Sequence, residues 1–120
     1  MSRVLTEQEL HNMAMNWVGK QLEKDGFEFM AVNSKPKKNP QFVCLKNKNL
    51  HFIIVRHSLL PNNPNSYELD MVKKVKDHAI KFEAKTYYAG VGFASAKGLD
   101  HPLLLNEEYI VEYQGLIEIL

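Results

Sequence analysis

No aspartate or glutamate occurs between Glu28 and Glu68. Mg²⁺ and Mn²⁺ take hard oxygen ligands, carboxylates above all, so this stretch offers no such site by itself. The single cysteine, Cys44, excludes an internal disulfide framework. It also excludes a cysteine-ligated zinc or iron–sulfur centre within one chain. Nothing approaches the roughly 18–20 consecutive apolar residues that span a bilayer. The longest apolar runs, such as Phe52-Ile53-Ile54-Val55, have the length of a strand. The segment from Met1 to Trp17 is polar where a secretory signal has an apolar core. The expectation is a cytoplasmic chain with no membrane association.

What is present fits one domain: 120 residues, of which 45% are hydrophobic. A chain of this size buries roughly two-thirds of its unfolded surface, enough for a core. Cys44, in an apolar strand, reads as a small buried hydrophobe. The formal net charge is only +1, but the charges are segregated. Lys35, Lys37, Lys38, Lys46, Lys48 and Arg56 lie between Phe29 and Tyr67, with no acid among them. Asp100, Glu107, Glu108, Glu112 and Glu118 lie between Gly98 and Leu120, with no Lys or Arg among them. The basic middle can face phosphates, or it can face the acidic tail of the same chain or of a partner.

Thr6-x-x-Glu9 forms a capping box that opens a first helix. Leu10, Met13, Ala14, Trp17, Val18 and Leu22 make its apolar stripe, and Gly26 ends it. Residues 27–32 read as a strand and 33–40 (NSKPKKNP) as a polar loop. Gln41 to Ser58 reads as a hairpin turning at Asn47-Lys48-Asn49. Its second strand is apolar enough to be covered on both faces. A turn-rich segment follows, and Asn65 or Ser66 can cap a second helix with Glu68 and Asp70 in its first turn. Leu69, Val72, Val75, Ala79 and Phe82 can form the buried stripe of that helix. Residues 86–94 read as a strand in which Gly90 and Gly92 share one face, marking a bulge or the close approach of another element. Leu103–Leu105 and Tyr109–Leu120 resemble a closing hairpin.

Familiar catalytic patterns are absent. His11, His51, His57, His78 and His101 form no HxH or HxxxH pair, and His51 and His57 lie roughly 20 Å apart on one extended strand. No nucleophile elbow or phosphate-cradling P-loop occurs, and Gly90-Val91-Gly92 lacks the third glycine and helix of a dinucleotide loop.

The order helix, strand, hairpin, helix over residues 7–58 and beyond resembles the small YraN-type proteins of the restriction-endonuclease-like, PD-(D/E)XK, superfamily. Glu9 matches the acid on that family's first helix, and Gly26-Phe27 matches the helix end. On this register Ile54 stands where the family has the metal-binding Glu, and Arg56 where it has Lys. Cys44, or Val43, stands where it has Asp. The resemblance implies a metal-dependent nuclease, and the departures remove its ligands. Arginine also stays protonated and is a poor proton shuttle. The whole chain further resembles short bacterial proteins that carry the label of one component of a sodium-pumping NADH:quinone reductase. That label implies a membrane helix, a four-thiolate cluster and a flavin module, none of which this sequence supplies.

These readings converge on a single α/β domain, αβββαβββ, with a mixed sheet flanked by two helices in a restriction-endonuclease-like arrangement. The function expected is that of a non-catalytic binding or assembly module; the alternatives are a divergent metal-dependent nuclease and a redox-linked accessory protein. No catalytic, cofactor-binding or metal-binding residue is assigned. Nucleic acid, if bound, should touch Lys35, Lys37, Lys38 and Arg56, with Lys73 and Lys74 as further contacts. Glu9, Glu68 and Asp70 are the acids from which a relocated active site would be built. The apolar run from Tyr109 to Leu120 is either an edge strand that pairs with a second copy or an interior strand of the monomer.

Overall fold

The computed structural model describes residues 3–120. The first helix, α1 (Glu7–Lys24), begins at Thr6, whose side chain accepts from the Glu9 amide while Glu9 reaches back to the Thr6 backbone N–H. It ends in a Schellman motif: Phe27 N–H donates to Leu22 O at 2.9 Å and Gly26 N–H to Glu23 O at 3.1 Å. Gly26 sits at φ +88°, a conformation that favours glycine. Leu10, Ala14, Met15, Val18 and Leu22 bury one face of the helix. Trp17, expected in that stripe, is 41% exposed. It lies one step round the helix from the buried line, and its indole N–H donates to Tyr109 Oη at 3.3 Å.

Six strands form one mixed sheet: β1 (Glu28–Val32), β2 (Phe42–Lys46), β3 (Asn49–Leu59), β4 (Lys85–Ser95), β5 (Tyr109–Tyr113) and β6 (Ile117–Ile119). The order β1-β2-β3-β4-β5 has β3 and β4 parallel and the other neighbours antiparallel. The β2–β3 hairpin turns on Asn47 and Lys48, both at positive φ, as a two-residue hairpin loop requires. The parallel crossover from β3 to β4 runs through the second helix, α2 (Leu69–Ile80).

Strand β3 is the centre of the molecule. Its side chains alternate between two cores: Ile53 and Val55 pack under α1, and Phe52 and Ile54 under α2. This is the two-sided burial expected of a nearly all-apolar strand. Strand β4 carries the two glycines against the segment that leads from β3 to α2. A Cβ on Gly90 would lie 1.8 Å from Pro64 O, and one on Gly92 would lie 2.7 Å from Leu60 Cδ2. At Gly90 the two backbones therefore approach closely, and at Gly92 the side chains of Leu60 and Pro64 pack onto the strand.

Three details differ from expectation. α2 is capped at Glu68, with no side-chain cap hydrogen bond, because Asn65 and Ser66 remain in the preceding turn. Leu69 and Phe82 are 75% and 53% exposed: Leu69 is the first residue of α2, and Phe82 lies just beyond its last, with one side of its ring on Phe52. The closing hairpin does not form: Leu104 bridges Val4, while β5 and β6 both pair with β4, along different parts of it. Gln114-Gly115-Leu116 breaks the run, with Gly115 at φ +97°. Ile119 is thereby buried in the α2-side core.

Candidate functional site

The β2–β3 ladder stops at Phe42 opposite Ile53, and beyond that point the two chains part. Gln41 fills the gap. It is fully buried, and its Oε1 accepts from the Val55 N–H at 2.7 Å, so a side chain replaces the missing strand partner. Its Nε2 donates to Lys38 O and to Asn39 Oδ1, each at 3.2 Å. Asn39 Oδ1 also accepts from Arg56 Nη2 at 2.8 Å, and Arg56 Nη1 donates to Val55 O at 2.9 Å. Gln41 and Asn39 thus tie the basic loop onto the C-terminal half of β3 and fix the guanidinium there.

Arg56 points from the α2 side of β3 into a cleft of about 450 Å³. Lys37, Asn39, His57, Ser66, Tyr67, Glu68, Met71 and Tyr88 complete its lining. Arg56 is half-buried, and burial lowers its pKa from the ordinary arginine value; Tyr88 and Glu68 oppose that shift. Among the described residues no carboxylate lies within ion-pairing distance of it. Tyr67 and Tyr88 form an aromatic wall, with ring centroids 4.9 Å apart, and Tyr88 Oη donates to Ser66 O at 3.4 Å. An adjoining outer cleft shares Lys37, Asn39, Glu68 and Met71 and adds Lys38, Asp70 and Lys74. Across the two, four cations face two carboxylates.

Behind Arg56, on the α1 side, His57 meets His11 edge-on at 6.4 Å. His11 is 1% exposed, and its Nε2 has no hydrogen-bond partner. Burial holds both imidazoles below the usual histidine pKa, reinforced for His11 by the neighbouring His57 and Arg56 charges. Both are thus favoured in the neutral form.

Of the six basic residues singled out from the sequence, Lys37, Lys38, Arg56 and Lys74 line these clefts; Lys35 and Lys73 do not. Gln41 and Asn39, which organise the site, carry no sequence signal beyond their place at the end of a polar loop. Among the acids, Glu9 is held away from the cleft. Arg3 grips it with contacts of 2.6 and 2.7 Å, and Thr6 completes the cap. The Arg3 guanidinium, with the Thr6 amide, draws its carboxyl down to about 2. Glu68 and Asp70 lie at the mouth, at the start of α2.

The divalent metal implied by the nuclease resemblance does not fit these residues. Ile54 is fully buried in the α2-side core and Cys44 in the α1-side core. Val43 is half-buried against α2. In the inner cleft Glu68 is the carboxylate on offer, and it faces Lys37 and Arg56. Among the described residues, no group of three or more His, Cys, Asp and Glu side chains is placed to hold a metal ion. No helix among them is long and apolar enough to cross a membrane.

The chain belongs to a family described as a domain of unknown function, DUF8840, whose model matches residues 8–119. No curated protein matches it.

Proposed function

We propose that this member of the family is a non-catalytic binding module of restriction-endonuclease-like architecture, and that its basic cleft engages the phosphates of a nucleic acid. The observation that carries the reading is Arg56. It is half-buried, held by neutral acceptors, and has no carboxylate in ion-pairing range among the described residues. A cation removed from water without a paired charge is costly, and an incoming phosphate would offset that cost. The element order αβββαβββ and the position of Arg56 on the central strand support the nuclease-like comparison. The replacement of its acids by Ile54 and by Cys44 or Val43 supports binding without cleavage.

Binding of this kind weakens linearly with the logarithm of salt concentration. A fluorescence-anisotropy titration of labelled oligonucleotides at several salt concentrations, with a parallel cleavage assay in Mg²⁺ and Mn²⁺, tests it. Saturable, salt-sensitive binding without metal-dependent cleavage is expected. Metal-dependent cleavage that is abolished by substitution of Glu68 and Asp70 would overturn the non-catalytic reading, and no binding at low salt would overturn the nucleic-acid reading.

A role in assembly is supported separately by the open edge of β5, where Tyr109 is 39% and Ile110 51% exposed. Pairing of two copies along that edge would cover both residues. Light scattering should then exceed the 13.8 kDa of one chain, and a monomer at micromolar concentration would contradict it.

A further inference from the structure

The depth of Arg56 bears on which form of nucleic acid the cleft can take. The outer cations, Lys38 and Lys74, are exposed and within reach of any phosphate backbone. Arg56 is not: it is half-buried in the inner cleft, whose lining also includes Lys37, Ser66 and Tyr67. A duplex is stiff, and its phosphates ride on a broad convex surface. A single strand is flexible and has unstacked bases to offer. The inner cleft, at about 450 Å³, lies within the roughly 300–1,000 Å³ range of sites that enclose a small ligand. Its lining holds both a guanidinium and an aromatic ring, the two groups that single-strand sites use for phosphate and base. Tyr67 is braced for stacking because its ring already packs on the buried Tyr88.

Resting on the nucleic-acid reading above, we infer that the inner cleft admits one unpaired nucleotide of a single-stranded DNA or RNA, its phosphate on Arg56 and its base against Tyr67. The exposed lysines then track the flanking phosphates. The site should prefer single strand to duplex and should be tolerant of sequence, because every base presents a stacking face. The same phosphate-and-ring chemistry is found in a free nucleoside monophosphate. Such a ligand lacks the flanking phosphates that Lys38 and Lys74 would hold, so it should bind much more weakly.

The test is anisotropy with a fluorescein-labelled single-stranded oligonucleotide, the same strand in a duplex, and adenosine monophosphate as competitor, on the full chain at 50 mM salt. The expected single-strand affinity is about tenfold above that of the duplex, and Tyr67→Ala should lose about tenfold for the single strand and little for the duplex. Tyr67→Phe, which keeps the ring, should retain the preference, separating lost stacking from lost folding. Equal affinity for both forms, or a single-strand preference that survives Tyr67→Ala, would overturn this inference and leave the binding-module reading intact. Adenosine monophosphate binding as tightly as the oligonucleotide would overturn the strand in favour of a free-nucleotide pocket. No binding of any of the three would overturn both readings.

Discussion

Two glycine-to-alanine substitutions should change stability in opposite directions. At Gly90 the added methyl would lie 1.8 Å from Pro64 O and 2.7 Å from Pro64 C. Real Cβ contacts essentially never fall below 3.0 Å, so the carbonyl must retreat by at least the 1.2 Å between 1.8 and 3.0. It has little freedom to do so. Leu60 N–H is bonded to Phe93 O at 2.9 Å, and Asn65 Nδ2 donates to Gln114 Oε1 at 2.9 Å. Overpacking of this kind costs about 1–3 kcal/mol, and a backbone obstacle places Gly90→Ala at about 3 kcal/mol. At Gly19, inside α1, the methyl meets only the Phe42 ring, at 3.4 Å, an ordinary contact. Alanine is better than glycine in a helix interior by about 1 kcal/mol, so Gly19→Ala should stabilise. Urea denaturation reads both. With a slope near 2 kcal/mol/M, the midpoint should fall by about 1.5 M for Gly90→Ala and rise by about 0.5 M for Gly19→Ala. A Gly90→Ala midpoint equal to that of wild type would refute the close approach of Pro64 to β4.

Other substitutions probe the remaining features. Gln41→Leu leaves the Val55 N–H without its acceptor and should lower stability by about 1–3 kcal/mol, read by the same denaturation. Glu83 occupies φ +55° where α2 ends in a second Schellman motif, with Ala84 N–H on Ala79 O and Glu83 N–H on Ile80 O. Glu83→Gly should therefore raise stability by about 1 kcal/mol in thermal or urea unfolding. His11, His51 and His57 are each held below the ordinary histidine pKa, chiefly by burial, so the unfolded chain takes up protons that the folded chain refuses. Stability present above the unfolded value of about 6.5 should then be lost as pH falls towards the depressed folded values. Denaturation at pH 7.5 and 5.0 should show the loss, and a flat profile would contradict it. Burial pushes the Cys44 thiol up to about 11, so a thiol reagent at pH 8 should label it only as fast as the protein opens.

The parts of the fold legible in the sequence are those where one local rule dominates. The capping box at Thr6 and Glu9, the glycine end of α1, the Asn47-Lys48 turn and the two-sided burial of β3 each follow from a few adjacent residues. Local pattern misleads where tertiary position overrides periodicity. Trp17 lies on the helical stripe by spacing alone, yet the buried line runs through Leu10, Ala14, Val18 and Leu22 and leaves it to one side, where Tyr109 of a distant strand provides its polar contact. The C-terminal run reads as one long strand because nothing local shows that β4 is long enough to pair two short strands in succession. At the candidate site, the cations are visible as a charge-segregated stretch. Which of them converge is not, because that depends on where β2 leaves β3. Gln41 decides it, through a side-chain hydrogen bond between residues fourteen apart in sequence.

Backbone amide chemical-shift mapping during titration with a short oligonucleotide tests the central claim most directly. The account predicts that the largest saturable shifts fall on Lys37, Lys38, Asn39, Arg56, Ser66, Tyr67 and Glu68, and that they fade as salt is raised. Shifts centred instead on the groove between α1 and β1, around Asn12, Lys20 and Phe29, or no saturable shifts at low salt, would contradict it.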